Sequence, residues 1–180
     1  RRMLYDRRAP RIVAIGSTGS GRTILANELL LAAALPERPS AVTPEAQWVH
    51  IRAAGRSLDW LELDTTPVEG DRASRLDDAL DEALPDLVLF TLRADRAEED
   101  LPALAAAGKD LALRIEARQG KSTTLGVLLQ ADHLGGSSDV ARVDRETHAM
   151  RARLGEAGVE IARPIPVALP ADEGKHWNLP

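Results

Sequence analysis

Apolar residues run along this chain in three recognisable rhythms. Short, nearly unbroken runs occupy residues 11–15 (RIVAI), 87–92 (LVLFTL) and 123–129 (TTLGVLL), the signature of strands covered on both faces. Two alternating stretches, 47–52 (QWVHIR) and 57–63 (SLDWLEL), are separated by only four residues and predict a hairpin. Between and after these, apolar residues return every three or four positions. Residues 22–35 carry Ile24, Leu25, Leu29, Ala32 and Leu35 before Pro36, and residues 71–84 carry Leu76, Ala79, Leu80 and Ala83 before Pro85. Residues 97–118 carry Leu101, Leu104, Gly108, Leu111 and Ile115 before Gly120, and residues 140–154 follow the same period. Each predicts a helix with one buried face, closed by proline or glycine. Residues 161–169 (IARPIPVAL) predict a last strand, placed near an edge because proline cannot donate to a ladder.

Strands alternating with helices in this order require right-handed crossovers. The predicted fold is therefore a three-layer α/β domain: a mostly parallel six-stranded sheet with one antiparallel strand and helices on both faces. The loops at the carboxyl ends of the strands then share one rim, which holds residues 16–23, Thr43, Asp64 and Asp132. Residues 36–46 are too rich in proline for helix or inner strand and predict an extended connection. The expected organisation is a basic arm over 1–10, one domain over 11–169 and a tail over 170–180.

Composition narrows the chemistry. Only 3% of residues are aromatic against 44% hydrophobic, so the core must be aliphatic and base stacking on aromatic platforms is not expected. A net charge of −5 argues against a nucleic-acid partner, whose phosphates call for clustered cations. Arg1, Arg2, Arg7, Arg8 and Arg11 form a local exception, read as a solvated arm or as a contact for an anionic membrane or partner. Cysteine is absent, which excludes disulfides and thiolate metal sites. No apolar run approaches the roughly 20 residues that cross a bilayer, so the expected location is cytoplasmic, at most membrane-peripheral. The chain opens on Arg1 in what reads as mid-helix charge patterning and is expected to be part of something longer.

Residues 16–23 (GSTGSGRT) join the first strand to the first helix. In the pattern G-x-x-x-x-G-K-[ST], glycines let successive main-chain N–H groups curl around a phosphate while the helix aims its positive end at the same charge. The lysine reaches the outer phosphates and the hydroxyl binds Mg²⁺. Gly16, Gly19, Gly21 and Thr23 fit, and Arg22 stands in the lysine's place. Arginine keeps the charge as a broad planar fork, so phosphate binding is more secure than efficient hydrolysis. The bland alternative is a strand-to-helix turn that binds nothing. Asp64, at the carboxyl end of a strand, is a candidate Mg²⁺ ligand or simply a strand-end turn residue. His50, His133, His148 and His176 lack metal spacing, the serines lack the context of a nucleophile, and pairs such as Asp77-Asp78 read as solvated helix faces.

The order of these pieces, and the spacings from Arg22 to Asp64 and from Asp64 to Asp132, resemble a GTPase domain of the translation-factor-related class. GSTGSGRTILANELL, RPSAVTPEAQWVH and TLGVLLQADHLGG are most similar to the phosphate loop, first switch and base motif of bacterial dynamin-like proteins and their actinobacterial relatives. The resemblance implies a P-loop G-domain fold and Mg²⁺ with GTP or GDP as cofactor. It assigns nucleotide binding to Gly16, Ser17, Gly19, Ser20, Gly21, Arg22, Thr23, Ile24 and Asp132, metal binding to Thr23 and Asp64, and catalytic roles to Arg22, Thr18 and Thr43. It also implies homodimerisation across the nucleotide face and peripheral membrane contact as partner modes. Five residues depart from the family: Arg22, Gly19, Pro67 where D-x-x-G has glycine, and Leu129 and Gln130 in the base motif. These keep open a pseudo-GTPase that binds or assembles without turnover, and an ATP-binding P-loop protein.

Overall fold

A computed structural model describes residues 8–30, 46–53, 55–67, 69–120, 122–130, 140–162 and 164–167. Along it run β1 (Arg11–Gly16), α1 (Arg22–Leu30), β2 (Val49–Ala53), β3 (Arg56–Leu63), α2 (Gly70–Glu82) and β4 (Leu87–Arg93). A 3₁₀ turn (Ala94–Arg96) leads into α3 (Ala97–Ala117), followed by β5 (Thr123–Leu129), α4 (Val140–Glu156) and β6 (Ile165–Val167). The strands form one sheet in the order β2-β3-β1-β4-β5-β6. β2 and β3 pair antiparallel, with Val49 opposite Trp60 and Ala53 opposite Arg56. Every other pair is parallel, so the expected three-layer architecture with a single antiparallel strand is what the chain adopts.

The alternation of side chains along each strand divides the core in two. Val13, Ile15, Leu61 and Leu63 point to the face covered by α2, α3 and α4, where Leu76, Leu80, Leu104, Leu111, Met150 and Leu154 pack. Ile12, Ala14, Trp60 and Val127 point to the other face, against Leu25, Ala26 and Leu30 of α1. A fully buried leucine contributes roughly 1.5–3 kcal/mol, against about 0–1 kcal/mol for an exposed ion pair, so the aliphatic layers, rather than surface charge, hold the sheet to its helices. Gly108, which lowers helix propensity in the middle of α3, earns its place by packing: a methyl group there would lie 2.5 Å from Phe90 of β4.

Several boundaries shift by one or two residues from the sequence expectation, β2 starting at Val49 and α2 ending at Glu82 among them, and the last strand shifts further. The last strand begins at Ile165 rather than at 161, residues 161, 162 and 164 lying outside it; Pro166 within it has no N–H to give to the ladder, and residues 168 and 169 lie outside the described residues. Its pairing lies beside Val127–Leu129. α4 runs two residues beyond 154, to Glu156. The predicted end of the first helix at 35, the connection over residues 36–45 and the tail over 170–180 lie outside the described residues. At the other end of the chain, Arg8 forms a two-pronged bond with Asp86 at 2.7 Å on each arm, and the Arg11 amide donates to the same carboxylate. The last residues of the basic arm are thereby fastened to the loop before β4.

Candidate functional site

Parallel strands with short returns place the ends of β1, β3, β4 and β5 along one rim. At its centre β1 ends in Gly16, whose register partner on β4 is Thr91. A methyl group on Gly16 would meet Thr91 Oγ1, with the Thr91 carbonyl at 2.5 Å and Ser20 Oγ at 2.7 Å, so only glycine lets the chain turn here. The loop then uses positive φ at Gly19 (77°) and Gly21 (88°), conformations that favour glycine. A Ser20 N–H to Ser17 carbonyl bond of 3.0 Å closes the turn, and α1 starts with the Leu25 amide bonded to the Gly21 carbonyl at 2.9 Å. The result is a curled loop feeding the N-terminus of a nine-residue helix, the backbone shape that concentrates N–H dipoles on an anion.

Side chains brace this curl from beneath. The Thr91 hydroxyl donates to the Ile15 carbonyl at 3.1 Å, so the contact of 3.1 Å between Ser20 Oγ and Thr91 Oγ1 has serine as its donor. The Ser17 hydroxyl donates to Asp100 of α3 at 2.5 Å, and both are buried. Arg96 lies 3.4 Å from the same carboxylate, which offsets a negative charge beside a loop shaped for anions. Arg22 is buried, with Nη1 donating to the carbonyls of Gly16 and Leu63. The cation expected at the phosphates is thus anchored on the loop floor, where β1 and β3 end.

Asp64 follows β3 directly and is 2% exposed. Its Oδ1 accepts from the Thr66 amide at 3.0 Å and from Arg72 of α2 at 2.8 Å. Its Oδ2 is buried and has no hydrogen-bond partner among the described residues. Thr23 donates its hydroxyl to Glu62 Oε1 at 2.9 Å, and the Trp60 indole donates to the same oxygen at 3.0 Å. Because Thr23 acts as the donor, its oxygen lone pairs remain for another partner. A hydroxyl oxygen and an unpartnered carboxylate oxygen, both hard donors, fit Mg²⁺. No group of three or more histidine, aspartate or glutamate side chains suited to another metal gathers among the described residues.

The rest of the predicted set is distributed as follows. Thr18 and Gly19 are exposed on the outer curve of the loop, and Ile24 is half-buried in the first turn of α1, packed against the α1 side of the core. Pro67 is exposed, and Gly70 opens α2 at φ 57°. Thr43 and Asp132 lie outside the described residues. Leu129 is buried in β5 and Gln130 follows it at φ 56°, with Oε1 buried and unpartnered among the described residues. Sequence reasoning missed Glu62, Arg72 and Asp100. For Glu62 a signal existed: it shares the inward parity of Trp60 on a strand, an unusual place for a carboxylate. Arg72 and Asp100 gave no such signal, since on helices they read as ordinary surface charges.

A second cavity, about 560 Å³, is lined by Val88, Leu111, Ile115, Thr124 and Val159. It opens at the amino ends of β4 and β5, away from the rim, and its lining is mainly apolar. No described helix is long and apolar enough to cross a membrane.

No family model matches the sequence, and no curated protein matches it. Solved structures resemble it in fold. Era from Aquifex aeolicus, bound to GDP·AlF4⁻, superposes with a TM-score of 0.59 at 15% identity, over 91% of this chain and 52% of that one. Era in complex with MgGDPNP and a segment of 16S ribosomal RNA gives 0.56 at 16% identity, over 90% and 51%. Toc33 from Arabidopsis thaliana, in complex with GDP and Mg²⁺, gives 0.57 at 15% identity, over 94% and 74%. The chain spans about half the length of the Era chains it matches. These likenesses show a shared fold, the three-layer α/β sheet described above.

Proposed function

We propose that this chain is a guanine-nucleotide-binding switch domain of dynamin-like type, with weak GTP hydrolysis. The observation that carries the reading is the loop at residues 16–23: its glycine-dependent curl leads into the N-terminus of α1, with Thr23 and Asp64 flanking the same rim. Main-chain amides from Ser17 to Thr23 would take the diphosphate, Ile24 would close the loop's far side, and Arg22 would add charge from the floor. Thr23 and Asp64 would hold Mg²⁺, which supplies neutralisation of phosphate charge when bound. Asp132 would accept from guanine, and Thr43 and Thr18 would orient the water attacking the γ-phosphorus. In that step the water oxygen forms a bond to phosphorus as the bond to the β,γ-bridging oxygen breaks. The chain's part in it is positioning and electrostatics rather than covalent chemistry. Homodimerisation across this face, contact with anionic membrane through the basic arm, and a cytoplasmic location belong to the same reading.

A second reading, a pseudo-GTPase that binds or assembles without turnover, is favoured by Pro67. It stands where an amide would meet the γ-phosphate, and proline has none. Anchoring of Arg22 to two carbonyls points the same way, because a cation held on the floor moves less readily with developing charge. Titration with fluorescent GTP and ATP analogues in Mg²⁺, followed by measurement of released phosphate, separates the readings. Saturable GTP binding with slow release supports the switch, GTP binding without release supports the pseudo-GTPase, and tighter ATP binding supports an ATP-binding protein. Absence of saturable binding to either nucleotide would defeat the switch and the ATP-binding reading and leave only an assembly scaffold.

A further inference from the structure

The sheet order dictates what a nucleotide held on the loop must cross. The loop leaves β1, the base motif leaves β5, and β4 lies between them. A ligand whose phosphates rest on residues 17–23 and whose base reaches the end of β5 therefore passes over the end of β4. That end is Arg93, whose register partner on β5 is Leu129, the first residue of the base motif. On the other side Arg93 faces the loop: a methyl group on Gly19 would have Arg93 Nη1 3.9 Å away, the one atom within 4 Å among the described residues other than its chain neighbours.

The guanidinium is also held in one orientation. Asp95 accepts from Nε at 2.9 Å and from Nη2 at 2.6 Å, so the planar fork is fixed and Nη1 is the edge turned to the loop. A half-exposed pair two residues apart contributes little to stability. Its geometric effect is to hold a flat cation between the loop and β5. Beyond Leu129, Gln130 carries a buried, unpartnered Oε1, so the β5 side of the rim also presents polar capacity that the described protein does not use.

We propose that Arg93 is a nucleotide-contacting residue, taking the nucleoside half of a purine nucleoside diphosphate through its guanidinium while the loop amides take the phosphates. The assignment rests on the nucleotide reading above and adds to it a residue outside the phosphate loop and base motif. A fixed guanidinium edge donates to the ribose oxygens, and its face stacks on a purine. Asp95 is then a positioning residue acting through Arg93.

The test compares GDP with inorganic pyrophosphate, which fits the loop but is too short to reach β4. Both are measured by displacement of a fluorescent GDP analogue from the 180-residue chain, in about 0.15 M salt to screen long-range charge. Arg93→Gln is expected to weaken GDP about tenfold and leave pyrophosphate within about twofold, and Asp95→Asn to give a smaller loss of the same kind. Far-ultraviolet circular dichroism and the unfolding midpoint confirm that each variant is folded; were Arg93→Gln not to fold, Arg93→Lys would take its place with the same expectation. Unchanged GDP affinity, or equal weakening of GDP and pyrophosphate, would overturn the proposal while leaving the loop reading intact. A parent chain that binds neither ligand would overturn both.

Discussion

At the scale of single residues, the loop is specified by what has no room to change. Gly16 sits against the Thr91 backbone and hydroxyl and against Ser20 Oγ, and the backbone half of that contact cannot rotate away. Gly16→Ala should therefore force β1 and β4 apart at the rim, destabilising the chain by about 1–3 kcal/mol as overpacking does. The same variant should lose saturable nucleotide binding, read from urea unfolding and from titration respectively. Glu62 presents the opposite case, a polar group whose removal exposes others. Its Oε1 receives both the Thr23 hydroxyl and the Trp60 indole N–H, and Trp60 is 1% exposed. Glu62→Ala strands a buried donor, a loss of about 1–3 kcal/mol, whereas Glu62→Gln keeps an accepting oxygen and should lose less. If Glu62 orients the Thr23 oxygen for a metal, Glu62→Ala should also blunt the gain in GDP affinity on adding Mg²⁺. An unchanged Mg²⁺ dependence would confine Glu62 to packing.

At the scale of elements, α2 and α3 are fastened over β1 and β4 by two arginines. Arg114 bonds Asp77 at 2.8 Å and Asp110 at 2.9 Å, while Arg118 bonds Asp77 at 3.0 Å and Asp81 at 2.5 Å. The hydrogen bond from Arg114 comes first among the causes that hold the Asp77 carboxyl below its ordinary 3.8, followed among the lowering causes by attraction to Arg114 and by Arg118. A carboxylate with a depressed folded value contributes stability that is complete above the unfolded value and is lost as pH falls through the folded one. The gap in urea midpoint between the parent and Asp77→Asn should therefore be widest near neutrality and close as pH drops below about 4. A gap that persists at pH 2.5 would assign the difference to packing. These pairs were not legible in the sequence, where Asp77-Asp78 reads as a solvated face, because ion pairing across two helices depends on their docking and not on local period. The strands were legible for the converse reason. From residue 126 to Leu129 the strand is buried, with its neighbours β4 and β6 beside it and helices over the sheet, so the apolar run itself signals the element. The final strand starts later than its apolar pattern suggests, at Ile165 just after Pro164. Of the site, the glycines and Asp64 could be found because backbone shape constrains their identity. Arg93 could not, since its role depends on β4 lying between β1 and β5.

At the scale of the whole molecule, the rim balances its own charge. Arg72 from α2 meets Asp64 after β3, Arg96 meets Asp100 on α3, and Arg22 rests on the carbonyls ending β1 and β3. A ligand that adds phosphate charge and a divalent cation must re-partition these pairs, and through Asp64 and Arg72 it acts on the start of α2, which packs on the sheet through Leu76 and Leu80. Binding to the folded chain alone raises its stability by RT ln(1 + [L]/Kd), about 2.7 kcal/mol at a hundredfold excess over Kd. For a domain of this size each kcal/mol moves the unfolding midpoint by about 2–4 °C, so saturating GDP with Mg²⁺ should raise Tm by about 5–10 °C. The base sets how far ADP falls short. Leu129 has no polar side chain with which to tether the base motif to the loop, and Gln130 replaces a cation over the base. In the proposed reading discrimination would then rest on Asp132, and one hydrogen-bonding partner is worth about 1–2 kcal/mol. ADP at the same concentration should consequently raise Tm by about 2–8 °C less than GDP. Equal shifts would remove guanine preference from the reading, and a larger shift with ADP would favour an ATP-binding protein built on the same loop.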